Sequence, residues 1–364
     1  MGFGLAWTTI DIDEPVLKFV IAGVALIETA SLCGVLNYAG IQWSPVASLL
    51  AGILGTAFGY GFTRSIDGKR RLLIEQMFAG RISEETMQKL EVSTLPIDFA
   101  GERREASVVV CEIFNHQLLS DALPPGDFVA LSNAFIRAGS EVLMDAGAMM
   151  DQSNGYNVRA IFGTPLEDPD HAEHACRAAY VLGRRMEKFC LEAIERWKAA
   201  PDYRIAINSG EMISAAYGAP TLGSFTVTGE PLEFCRRLCA ANTLYGSRIL
   251  VGPRAFQLAN AAVEVRPIEL VRRRGTATAP AENYEIYELL APKNQLTRQE
   301  AERRDLFWMG VVLFRERRWD EATMHFEAAL RDAGCEDGPA RFYLNRIAHA
   351  RAGANALDWD SVNR

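Results

Sequence analysis

The chain has 364 residues, enough for two or three domains, and 49% of them are hydrophobic. A net charge of −8 excludes the broadly basic face that grips nucleic acid, so no nucleic-acid partner is expected. Seven cysteines, an odd number without a CxxC pair, argue against both a zinc site and a disulfide framework.

The apolar residues are concentrated at the start. Residues 19–41 are interrupted only by Glu28, and residues 44–63 carry no charge. Each run has about the length that crosses a hydrocarbon core. The pattern predicts a membrane anchor over 1–63, two transmembrane helices turning at residues 41–45. Arg64, Lys69, Arg70 and Arg71 follow, which puts the rest of the chain on the cytoplasmic side of an inner or plasma membrane. A lipid membrane is then a partner. Within the first run Glu28 is a functional candidate, and Gly55-x-x-x-Gly59 supplies a small-residue stripe for helix contact.

Residues 64–105 read as a signalling or linker helix. Gly80 breaks it, Ser83 with Glu84 and Glu85 starts a second half, and Pro96 ends it. Over 106–291 strands and helices alternate. Residues 106–113 form a buried strand run, and 128–145 repeat apolar residues at helical spacing. Residues 149–152 and 158–162 flank Ser153-Asn154-Gly155-Tyr156, a hairpin signal. Helix 170–198, strand 203–208, a strand near 224–228, helix 230–242 and strand 248–251 complete a βαββαβ order. That order predicts an α+β, ferredoxin-like sheet. In the tail, 296–352, Trp308, Gly310, Leu313, Trp319, Ala322, Phe326 and Ala329 match one tetratricopeptide unit, with helix 339–350 as a cap. One such unit cannot bury its own face. It is expected to pack on something else or to hold a protein partner.

Several segments together resemble the class III adenylate/guanylate cyclase family over roughly residues 75–291. FAGRISEETMQKL resembles the segment before the cyclase domain in bacterial members. GERREASVVVCEI resembles the first strand, DHAEHACRAA the long helix, and YRIAINSGEM the strand after it. SFTVTGEPLEFCRRL followed by YGSRILVG resembles the dimer-interface signature and its trailing strand. The resemblance implies a homodimer, or a heterodimer with another cyclase-type domain. For an active member it also implies two magnesium or manganese ions that activate a ribose hydroxyl and neutralise a triphosphate.

Carried over one position at a time, the family's site is largely replaced. The first metal carboxylate falls on Glu112, one methylene longer than aspartate, and the second falls on Tyr156, a phenol. Hard cations prefer charged oxygens. The base-reading lysine becomes Gln152, and its companion position is Thr226, which the family tolerates. The ribose-orienting asparagine becomes Glu233. The arginine that stabilises developing charge is retained as Arg237. Asn115-His116-Gln117 stands where the family has Gly-Phe-Thr. Asp151 and Asp145 are the carboxylates that a shifted register would bring to a metal, and Glu112 with His116 is a conceivable transition-metal pair. His171 and His174, at i, i+3, look like half of a zinc site, but His171 reads as structural.

Three readings follow. The chain is a pseudocyclase that dimerises and regulates or scaffolds; or a divergent active cyclase on ATP or GTP; or a nucleotide-binding sensor or membrane scaffold linked to cyclases by ancestry alone. Losses at four positions, at about tenfold in rate per 1.4 kcal/mol, favour the first.

Overall fold

The computed structural model describes residues 15–40, 46–64, 66–92, 99–218, 223–273, 282–331 and 337–351. The chain divides into two compact units, Met1–Ala79 and Gly80–Arg364.

The first unit contains helices α1 (Pro15–Tyr38), α2 (Val46–Arg64) and α3 (Ile66–Phe78). The expected transmembrane hairpin is corrected here: among the described residues no helix is long and apolar enough to cross a membrane. Lys18 and Glu28 both lie within α1, and Glu28 is exposed. The 19 residues of α2 include Gly52, Gly55, Gly59, Gly61 and Thr56, which dilute its apolar run. The expected inner- or plasma-membrane localisation rested on that hairpin and falls with it. So does the ground for a lipid partner.

In the second unit, Gly80 adopts φ +71, a conformation that favours glycine. Helix α4 (Glu84–Val92) then starts at Ser83, whose Oγ accepts from the Thr86 N–H at 3.2 Å. The sheet comprises β1 (Glu102–Ile113), β2 (Met149–Asn154), β3 (Asn157–Phe162), β4 (Tyr203–Tyr217), β5 (Ser224–Thr228), β6 (Ile249–Val251), β7 (Val263–Arg273) and β8 (Glu282–Pro292). Its order is β2-β3-β1-β4-β6-β8-β7, with β5 paired to β4. The central antiparallel pair β1–β4 is covered on both faces, which explains the unbroken apolar run Val108–Val109–Val110. Val109 and Cys111 join the core with helices α6 (Pro125–Asp145) and α7 (His171–Trp197). On the alternate positions, the Val108 and Val110 carbonyls accept from Cys235 and Cys239 of α8 (Glu230–Tyr245). Two short helices, α5 (His116–Ala122) and α9 (Pro253–Ala259), and the long β7–β8 hairpin were not separately legible in the apolar pattern.

The tail forms α10 (Arg298–Arg315), α11 (Trp319–Arg331) and α12 (Gly338–Arg351). A capping box at Thr297 starts α10. Gly310 lies against the Phe326 ring, where a Cβ would come within 2.7 Å of Cε1. Helix α10 packs on β7, α11 packs on α10, and α12 packs on α11 and on α8. Arg266 of β7 is buried between Glu288, 2.7 Å away, and Asp337, 2.6 Å away, with its guanidinium 4.5 Å from the Phe307 ring centroid. Burial works against its charge, but the two carboxylates outweigh burial and raise its pKa. The Tyr343 hydroxyl donates to the Ile268 carbonyl at 2.6 Å.

Candidate functional site

Glu112 sits near the end of β1, in register with Asn157 of β3. Its Oε1 accepts a short hydrogen bond from Asn157 Nδ2. Burial raises the Glu112 pKa, and the bond from Asn157 and the charges of Arg236, His116 and Arg159 only partly oppose it. Tyr156 occupies the turn between β2 and β3. Asn154 Oδ1 accepts from the backbone N–H groups of Tyr156 and Asn157 at 3.2 and 2.8 Å, which closes that turn. The Tyr156 carbonyl accepts from the Ile113 N–H at 2.8 Å. Its ring stacks on His116, with centroids 4.0 Å apart and planes 10° from parallel. The His116 ring is itself held by its Nδ1, which donates to the Ile113 carbonyl at 3.2 Å.

Gln152 is exposed on β2, just after a register shift between Met150 and Gln152. That shift takes Asp151 out of the regular pairing, and its side chain is fully buried. Asp151 Oδ2 accepts from Arg159 Nε at 2.6 Å, and its Oδ1 takes a short hydrogen bond from the Thr226 hydroxyl. Arg81 closes the group from the start of the second unit. Its Nε donates to the Met150 carbonyl at 2.8 Å, while its own carbonyl accepts from the Met150 N–H at 2.7 Å. Both base-reading expectations therefore fall beside an internal ion pair: Gln152 faces solvent and the Thr226 hydroxyl is engaged by Asp151. Both Asp151 oxygens already accept hydrogen bonds, and Asp145 is exposed at the end of α6.

Glu233 and Arg237 lie one turn apart on α8, both exposed. Glu233 pairs with Arg236 at 3.1 Å; Arg237 makes no ion pair among the described residues. The geometry thus brings Glu112, Tyr156 and His116 together and sets Gln152, Thr226 and Asp151 side by side. Glu233 and Arg237 form a third group on an outward helix face. Sequence reading missed Asn157, Arg159, Arg81 and Arg236. The two-residue turn at Gly155-Tyr156 pairs Asn157 with Asn154, and it is the β1–β3 register that sets Asn157 opposite Glu112.

The residues present do not fit a pair of divalent cations. One amide-capped carboxylate and one stacked phenol offer a single charged oxygen group where two are needed. Among the described residues no group of three or more His, Cys, Asp or Glu could hold a metal, so Glu112 with His116 lacks a third ligand. His171 is buried, 2.7 Å from Ser107 Oγ, which is in turn 2.6 Å from Ser209 Oγ, so it braces β1 against β4. His174 is engaged by Asp168 at 2.7 Å.

A β1–β4 pair at the centre, a β2–β3 hairpin beside it and a helix layer on each face form an α+β domain. Adenylate cyclase 1 of Rhizobium meliloti is 26% identical over 204 residues, 56% of this chain and 30% of that protein. An uncharacterized protein of Mycobacterium tuberculosis is 24% identical over 198 residues, 54% of this chain and 33% of that one. The chain is thus similar to an adenylate cyclase over about half of its own length. It spans about a third of the length of the curated relatives it matches. Among solved structures, the guanylyl cyclase Cya2 is 17% identical with a TM-score of 0.48, covering 54% of this chain and 97% of that one. The adenylyl cyclase CyaB from P. aeruginosa is 20% identical with a TM-score of 0.48, covering 54% and 99%. No protein-family model matches the chain.

Proposed function

We propose that this chain is a pseudocyclase: a cyclase-type domain that pairs with a second copy, or with an active cyclase domain, and regulates or scaffolds without turning over nucleotide itself. One observation carries the reading. The two positions expected to hold metal are committed to other bonds, Glu112 to Asn157 and Tyr156 to His116. Supporting it, the Thr226 hydroxyl and Asp151 are engaged with each other, and Glu233 would face a nucleotide's phosphates with like charge. The exposed α8 face, with Glu233 and Arg237, is where a partner domain would sit. The tail's helix pair, tetratricopeptide-like in its Gly310–Phe326 contact, is held by β7–β8 and serves here as a brace for the domain.

The competing reading, a divergent active cyclase, draws on the carboxylate kept at Glu112 and on Arg237, which makes no ion pair among the described residues. The full chain, assayed for cyclic nucleotide formation from ATP and from GTP with Mn²⁺, decides between them. Background turnover alone, with altered turnover of an active family member mixed in, is the expected result. Activity of the chain by itself, lost on Glu112→Ala, would overturn the proposal.

A further inference from the structure

Helices α1 and α2 turn an apolar face away from their own unit. On α1 the exposed residues Val20, Val24, Ile27, Ser31, Gly34 and Tyr38 follow one another in alternating steps of four and three residues. On α2, Val46, Leu50, Ile53, Ala57 and Tyr60 repeat the alternation, and all of them are exposed. Such steps average about 3.5 residues, the period that keeps one edge of a helix against a neighbouring helix. Leu32, Val35, Leu54 and Phe58 each follow a seam residue by one position and are more than half exposed, which widens the stripe on one side. The opposite side differs. There Cys33, Gly52 and Gly59 are buried within the unit, in which α1 and α2 pack on each other. The helix pair closes through small side chains and leaves its large ones outside.

Two properties of the seam select its occupant. The first is area. Its exposed apolar side chains offer on the order of 1,000 Å², against the roughly 800 Å² that each partner gives to a standard interface. A lone soluble chain rarely leaves so large an apolar patch open. The second is charge. No seam position is charged, and the one charged residue between residues 19 and 63 is Glu28. A face related to its copy by a two-fold axis meets itself, so a charge at its centre would oppose its own image. A neutral seam meets that condition. A lipid surface calls instead for lysine and arginine along the polar edge of such helices, and none occurs between residues 19 and 63.

We infer that the first unit is a self-association module, in which the α1 and α2 seams pair with those of a second copy of this chain as a four-helix arrangement. Ser31, the polar residue in the α1 seam, restricts the register in which two copies fit. This goes beyond the pseudocyclase proposal, which places pairing on the α8 face of the second unit, and it holds whether or not the chain turns over nucleotide.

Sedimentation equilibrium of the full chain without detergent tests it. The wild type should dimerise, and Ile53→Glu should weaken dimerisation at least about a hundredfold, because each dimer would bury two unpaired carboxylates. Ile27→Lys should do the same from the other helix; at 67% exposure the side chain contributes little to its own unit's packing. Ala51→Glu, exposed on α2 but about a third of a turn from the seam, should weaken dimerisation less than about threefold. A wild type that stays monomeric overturns the inference. So does dimerisation that neither seam variant weakens, since the copies would then meet through the second unit alone. Flotation of the wild-type chain with phosphatidylcholine vesicles overturns it too, because lipid would then cover the seam.

Discussion

His116 lies flat on Tyr156, ring centroids 4.0 Å apart, directly after the strand that ends in Glu112 and Ile113. The stack occupies the turn where the resemblance expects a second metal carboxylate. Tyr156→Asp removes it and sets a second carboxylate near Glu112. We expect Mn²⁺ affinity, read by calorimetry, to rise by at least about tenfold, since hard cations follow charged oxygens. Turnover should stay at background, because Gln152 and Glu233 are unchanged. Appearance of turnover in the single variant would show that those two positions tolerate catalysis.

Glu112 gives a pH-dependent prediction. Burial raises its pKa above the ordinary carboxylate value. The folded chain therefore binds its proton more tightly than the unfolded chain does. The stability this contributes is fully present below the unfolded pKa and is lost as pH rises through the folded one. At pH 8 the ionised, half-buried carboxylate works against folding. Glu112→Gln keeps an acceptor for Asn157 and removes the charge, so its Tm should exceed that of the wild type at pH 8. The gap should close toward pH 4. A gap independent of pH would mean that Glu112 is not the group responsible.

Asp151 shows where sequence reading of the site stopped. The residue types at 112, 152, 156, 226, 233 and 237 could be read along the chain. The inward turn of Asp151 could not, because a one-residue shift in β2 depends on how β2 meets β3. Once buried, its carboxylate must be paired, and Arg159 and Thr226 do so. Asp151→Asn breaks the pair and leaves Arg159 partly buried without its anion. Arg159 keeps some solvent access, so the expected loss is about 2–3 kcal/mol in urea denaturation, at the low end for a buried pair. Glu233→Ala, at an exposed pair, should change stability by less than about 0.5 kcal/mol.

Gly310 was legible for the opposite reason. Small residues at helical spacing in the tail imply two helices in close contact, and a contact between sequence neighbours needs no knowledge of the rest of the fold. The long β7–β8 hairpin was missed because its residues alternate weakly, with buried charges at Glu264, Arg266 and Glu288 where apolar side chains would be expected. In the first unit the error ran the other way. Apolar content over 19–63 suggested length enough to span, while the helices that form carry Lys18, Glu28 and a series of glycines. Gly310→Ala tests the tail contact. Its Cβ would meet three atoms of the Phe326 ring at 2.7–2.9 Å, so overpacking should cost about 1–3 kcal/mol in thermal or urea unfolding.

Arg266 joins the tail to the sheet through charge rather than apolar area, which makes its removal costly in a particular way. Arg266→Met keeps volume and the contact with Phe307 but leaves Glu288 and Asp337 facing each other without their cation. Breaking a buried pair from one side costs about 3–5 kcal/mol. Burial already raises the Glu288 pKa in the wild type, and loss of Arg266 removes the charge that opposes this. In the variant, folding should therefore favour protonated carboxylates, so the penalty should be largest near pH 8 and shrink as pH falls toward 5. Limited proteolysis should cut between α11 and α12 faster in the variant than in the wild type. The triple change Arg266→Met, Glu288→Gln, Asp337→Asn should recover much of the loss at pH 8, since neutral amides bear burial better than lone carboxylates. A triple variant no more stable than Arg266→Met would show that the guanidinium acts by packing alone.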